Sequence, residues 1–89
     1  MEPSTRLQCS PNATFQIVAD EAILIHLHSG VYYSLNEVGT AFWQLLDGQR
    51  TLDECAGQIA AEYDAPREVI MADLVELAGE LAAEGLVTR

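Results

Sequence analysis

Positive charge is what this chain has least of. Four basic residues stand against fourteen acidic ones in 89, a formal net charge of −10. That imbalance argues against a nucleic-acid partner, because phosphate backbones are bound by Lys and Arg side chains that displace counterions. It argues equally against adhesion to an anionic membrane surface. Basic or apolar peptides and proteins are the partners such a surface favours. Cysteine is scarce too: only Cys9 and Cys55 are present, with no close pair at metal-ligand spacing. Cys55 shares a helix face with Leu52 and Ile59 and is expected as a buried, inert thiol. No disulfide is expected in a reducing compartment. No apolar run reaches the ~18 residues that span a bilayer. The start, Met-Glu-Pro-Ser-Thr-Arg, lacks the basic and apolar regions of a signal peptide. A cytoplasmic protein is therefore expected, and the sequon Asn12-Ala13-Thr14 is read as chance.

Catalytic constellations are missing as well. No Ser-His-Asp or Cys-His pairing can be assembled, and there is no Gly-rich phosphate loop. His26 and His28 lie two apart on one strand face, but no third ligand accompanies them. They are read as solvent-facing residues rather than a metal site. Ser34, near a helix start, is similar in place to the cofactor-bearing serine of acyl carrier proteins. That motif requires Asp immediately before the serine, and Tyr33 stands there instead. Neither an enzyme nor a cofactor is expected, and no metal.

What is present is a clear order of elements, without repeats or low-complexity segments, in a chain of single-domain length. Residues 1–13, with Pro3, Pro11, Ser4, Ser10 and Asn12, show no periodicity and are expected as a flexible arm; residues 14–89 form the domain. A first strand is predicted from Phe15 to Ala19, followed by a turn at Asp20-Glu21. Ala22 to His28 alternates, with Ile23, Ile25 and Leu27 on one face and Leu24, His26 and His28 on the other. Ser29-Gly30 turns the chain into a third strand, Val31 to Leu35. Val31, Tyr33 and Leu35 are placed on its core face, Tyr32 and Ser34 opposite. An antiparallel meander with the third strand at an edge is the simplest arrangement.

Asn36 then caps a helix over about 37–47, whose core stripe is Val38, Ala41, Phe42, Leu45 and Leu46, and Asp47-Gly48 ends it. Thr51-Leu52-Asp53-Glu54 is a capping box opening the second helix, with Leu52, Cys55 or Ala56, Ile59, Ala60 and Tyr63 facing inward. Asp64-Ala65-Pro66 opens the third, over 66–84, with Ile70, Leu74, Leu77, Ala78 and Leu81 as its core stripe. Gly85 stops it, and Leu86 can fold back as in a Schellman cap. The class is α+β, an N-terminal three-stranded antiparallel sheet followed by three helices. A second stripe on the third helix stacks Asp73, Glu76 and Glu80 at i, i+3 and i+7 beside Val69. Like charges at that spacing slightly destabilise a helix, so the stripe is either a solvated face or the wall of a groove for a basic residue.

The most specific stretches are Gly30 with Tyr32-Tyr33-Ser34-Leu35-Asn36, Trp43 with Leu46-Asp47-Gly48, and Glu84-Gly85-Leu86. Through them about two thirds of the chain, from Ser29 to Val87, resembles the PqqD-like family. These are small leader-peptide recognition domains of ribosomal peptide natural-product pathways. The resemblance implies a winged helix-turn-helix variant in which a leader segment adds as a strand beside the third strand and packs on the third helix. On this sequence that means Val31, Tyr32, Tyr33, Ser34 and Leu35, with Val69, Ala72, Asp73, Glu76 and Glu80 on the helix. The physical basis would be β-augmentation: edge amides and carbonyls supply main-chain bonds and pockets supply selection. The partners implied are a precursor peptide and a separate modifying enzyme, either a leader peptidase, as in lasso-peptide pathways, or a radical SAM enzyme, as in pyrroloquinoline quinone synthesis. Two other readings are a winged-helix DNA-binding regulator and a small structural subunit of an enzyme complex. The first is disfavoured because the third helix carries Arg67 alone against Glu68, Asp73, Glu76, Glu80 and Glu84.

Overall fold

Strand pairing across the whole length of the chain organises this molecule, which a computed structural model describes over residues 1–89. The elements run β1 (Arg6–Cys9), β2 (Ala13–Val18), β3 (Glu21–His26), β4 (Tyr32–Leu35), α1 (Glu37–Leu45), β5 (Asp47–Thr51), α2 (Leu52–Tyr63), α3 (Arg67–Ala83) and β6 (Val87–Thr88). They form two three-stranded antiparallel sheets, ordered β2-β3-β4 and β5-β1-β6. The α+β class and the meander with β4 at its edge match the expectation.

The second sheet was not foreseen, and it corrects the reading of the first thirteen residues as an arm. Arg6–Cys9 pairs with β5 on one side and β6 on the other, and Leu7 is 1 % exposed within the core. The folded unit therefore begins before residue 14. Segment 47–51 likewise forms a strand. Helix α1 stops at Leu45, and Asp47 turns the chain by accepting from the backbone N–H of Gln49 (2.9 Å) and Arg50 (3.0 Å).

The β2–β3 hairpin closes through Ala19 and Asp20, both left-handed, one residue earlier than expected. The face of β3 is the reverse of the one expected to be buried. Register opposes Leu24 to Tyr33 and Ala22 to Leu35, so Ala22 and Leu24 face the helices and are wholly buried, while Ile23 is partly exposed. Phe42 and Trp43 of α1 supply the reason. This helix lies between the β3–β4 sheet and the other two helices, so two of its faces are buried and adjacent aromatics both enter the core. Val38, Ala41, Leu45 and Leu46, predicted as its core stripe, sit at the margin beside Phe42. The buried indole N–H of Trp43 has no acceptor, and the ring of Phe15 meets the indole edge-on at 5.8 Å.

Helix α2 opens on the expected capping box, with Thr51 Oγ1 accepting from Glu54 N–H (3.1 Å) and the Glu54 carboxylate from Thr51 N–H (3.0 Å). Ile70, Leu74, Ala78 and Leu81 anchor α3. Its end is a Schellman turn: Leu86 N–H reaches Leu81 C=O (2.9 Å) and Gly85 N–H reaches Ala82 C=O (3.1 Å), with Gly85 at φ +71°. That reversal delivers Leu86 and Val87 to the core and β6 to β1. If β1 belongs to the fold, Leu7→Ala should cost roughly 2–5 kcal/mol by denaturant unfolding; an unchanged midpoint would mean that the segment is dispensable.

Candidate peptide-binding groove

Strand β4 pairs with β3 on one side only, and α3 runs beside its other edge. His26 N–H donates to Val31 C=O at 2.9 Å, which sets the alternation along the pair. Tyr33 bonds inward, so the main-chain groups of Tyr32 and Ser34 face the open edge. Side chains alternate in the same rhythm. Leu35 is buried, Tyr33 half-buried toward the helices, and Tyr32 is 71 % exposed on the outer face.

A groove of about 390 Å³ lies between this edge and α3. Tyr33, Ser34 and Leu35 form one wall, Asp73, Leu74 and Leu77 the other, and Asn36, Val38 and Gly39 the end where β4 turns into α1. That end is held rigidly. Asn36 caps α1 by accepting from Gly39 N–H (2.8 Å), and a Cβ at Gly39 would sit 3.3 Å from both Asn36 Oδ1 and Leu35. At the other end the Tyr33 hydroxyl donates to the Glu80 carboxylate, tying strand to helix. This hydrogen bond, with partial burial and the nearby charges of Glu80, Glu76 and Glu84, pushes the Tyr33 phenol up from 10.0 to about 12.

Of the residues singled out from the sequence, the fold brings Tyr33, Ser34, Leu35 and Asp73 to one groove and joins Glu80 to it through Tyr33. Glu76 lies close enough to act on the Tyr33 phenol. Val69 is exposed one turn before Asp73, and Val31 precedes the strand. Ala72 lies elsewhere. It lines the cleft between α2 and α3 with Asp53, Arg67, Glu68, Met71 and Val75, because one residue along a helix is a rotation of about 100°. Asn36, Val38, Gly39, Leu74 and Leu77 were missed as lining. Leu74 and Leu77 carried a signal, since both border Asp73 on the apolar stripe, whereas Val38 and Gly39 needed the turn geometry.

His26 acts as a local cap: its Nδ1 accepts from the N–H groups of His28 and Ser29, both at 3.2 Å. His28 Nε2 pairs with Asn12 Oδ1 at 3.0 Å. No group of three metal-ligating side chains converges anywhere in the chain. Burial raises the thiol pKa of Cys55. No helix is long and apolar enough to cross a membrane.

Residues 21–87 match the family described as Coenzyme PQQ synthesis protein D (PqqD). The chain belongs to this family. Two relatives are each named PqqA binding protein. The one from Bradyrhizobium diazoefficiens is 36% identical over 54 residues, covering 61% of this chain and 52% of that protein. The one from Gluconobacter oxydans is 43% identical over 44 residues, covering 49% and 46%. The chain thus spans about half the length of the curated relatives it matches. Among solved structures, TbiB1 in complex with the TbiA(beta) leader peptide superposes with a TM-score of 0.80 at 31% identity, over 90% of this chain and 93% of that one.

The PqqD-family groove is closed at one end by Tyr33 and Glu80, and that contact has a pH signature. The folded state holds the phenolic proton more tightly than the unfolded chain, so its stabilisation is complete below pH 10.0 and lost as pH rises toward about 12. The stability difference between the parent and Tyr33→Phe should therefore shrink across that interval. A difference that stays constant, measured by unfolding at stepped pH, would mean that the bond does not form.

Proposed function

We propose that this chain binds the leader segment of a ribosomally made precursor peptide without altering it, and presents the precursor to a separate modifying enzyme or leader peptidase in the cytoplasm. The open edge of β4, facing α3 across a groove of about 390 Å³, carries this reading. An extended peptide adds to such an edge through its main chain, while every second side chain falls into the groove. The names of the similar proteins agree with it, since they are described as binding PqqA or as complexed with a leader peptide.

Tyr32 and Ser34 offer the main-chain bonds, and Tyr33, Leu35, Leu74 and Leu77 an apolar floor. Asp73, Glu76 and Glu80 select a basic residue of the leader, and Val69 extends the wall beyond the groove. The acidic surface of α3 supports a peptide rather than DNA as the occupant.

The isolated chain should bind the leader with a Kd of about 1 μM or tighter, roughly −8 kcal/mol. Mass spectrometry of the precursor after incubation should show no change; a mass shift produced by this protein alone would overturn the non-catalytic reading. The double reversal Asp73→Lys with Glu76→Lys should weaken binding more than either single neutralisation. Exposed ion pairs contribute only about 0–1 kcal/mol each. That loss should diminish at high salt. Equal affinities at low salt would remove the carboxylates from the recognition mechanism.

A further inference from the structure

The β2-β3-β4 sheet has a second open edge, and it too faces helices. Strand β2 pairs only with β3. Leu27 N–H donates to Asn12 C=O at 2.7 Å, which fixes the alternation there and leaves the main-chain groups of Phe15 and Ile17 directed away from β3. Sheet edges are ordinarily guarded by Lys, Pro or a short length. This six-residue edge reads Ala-Thr-Phe-Gln-Ile-Val and carries no such guard. Phe15 is 48% and Val18 56% exposed.

Beneath this edge lies a cavity of about 290 Å³ between β2, α1 and α2. Ile17, Ala41 and Leu45 give it apolar walls, and Asp20, Glu37 and Glu62 bring three carboxylates to it. None of the three has a cationic partner, because the ion pairs of the chain are Arg50–Asp47 and Arg67–Asp53. The negative field is felt by Tyr63 on the rim, whose pKa is raised by partial desolvation together with Glu37, Glu62 and Asp20.

We infer that the β2 edge and the acidic cavity below it are a second docking surface, which accepts a strand of another protein alternating apolar and basic side chains. A strand added beside β2 would direct every second side chain toward Glu37 and Glu62. A second copy of this chain does not fit that requirement. Its basic residues are Arg6, Arg50, Arg67 and Arg89, so β2 itself brings none to the cavity. The surface lies on the far edge of the sheet from the β4 groove, so both edges can be occupied together.

The probe is a cyclic β-hairpin peptide whose free strand alternates Val and Arg, with a Glu-for-Arg counterpart as control. Each is titrated into the full ¹⁵N-labelled chain and followed by amide shifts. The Arg hairpin should move the amides of Phe15, Ile17, Glu37 and Glu62 with a Kd of about 1 mM or tighter, and the control should not. The double variant Glu37→Gln with Glu62→Gln, both on the surface and remote from the core, should weaken binding several-fold. High salt should weaken it in the parent. Three results would overturn the inference: no shifts, equal shifts with both hairpins, or shifts confined to β4 and α3. A parent that sediments as a dimer, and as a monomer when Ile17→Lys is introduced, would assign the edge to self-association instead.

Discussion

The side-chain hydroxyl of Thr40, buried between sheet and helices, accepts from Ala22 N–H at 2.8 Å and donates to Leu35 C=O at 3.5 Å. It thereby satisfies two main-chain groups where the β3–β4 ladder runs out. Leaving such groups unpaired inside the protein would cost about 1–3 kcal/mol each. Because Thr40 sits one turn into α1, this one contact fixes where the strand ends and the helix begins. Asn36 then caps the helix, and Gly39 allows the close approach of strand and helix that a Cβ would crowd. The direction of α1, the burial of Phe42 and Trp43, and the end wall of the groove all follow from this junction.

A capped junction at one end and a polar tie at the other fix the shape of the groove in the free chain. Tyr33 and Glu80 link strand to helix at the far end. Between them the edge of β4 keeps unpaired hydrogen-bonding groups beside apolar side chains of α3. Holding that spacing before a ligand arrives reduces the ordering cost of binding. Asp73, Glu76 and Glu80 lie outside the core stripe of Ile70, Leu74, Ala78 and Leu81, and of the three Glu80 alone is tied to the sheet, through the Tyr33 hydroxyl.

Much of this architecture was legible in the sequence, because local signals wrote it. Asn36, the Thr51–Glu54 box and the Gly85–Leu86 reversal each sit where their hydrogen bonds require. The phase of β4 was legible too, since Leu35 could face only the core. What could not be read depended on distant partners. Strand β1 is short and gains its meaning from β5 and β6, some forty and eighty residues away. The face of β3 was ambiguous because Ile23 and Ile25 on one side compete with Leu24 on the other, and only the register with β4 decides. Within the groove, Asp73 and Tyr33 were found from pattern and resemblance. The roles of Val38 and Gly39 came from a turn whose geometry no periodicity encodes.

The central claim is that the β4 edge is completed by an added strand, and amide hydrogen exchange on the leader-bound chain tests it most directly. In the free chain the N–H groups of Tyr32 and Ser34 should exchange quickly, since β4 pairs on its other side only. Saturation with leader should slow exchange at those two positions, while Phe15 and Ile17 on the opposite edge keep their free rates. A leader that binds but leaves the Tyr32 and Ser34 amides unprotected would contradict strand addition.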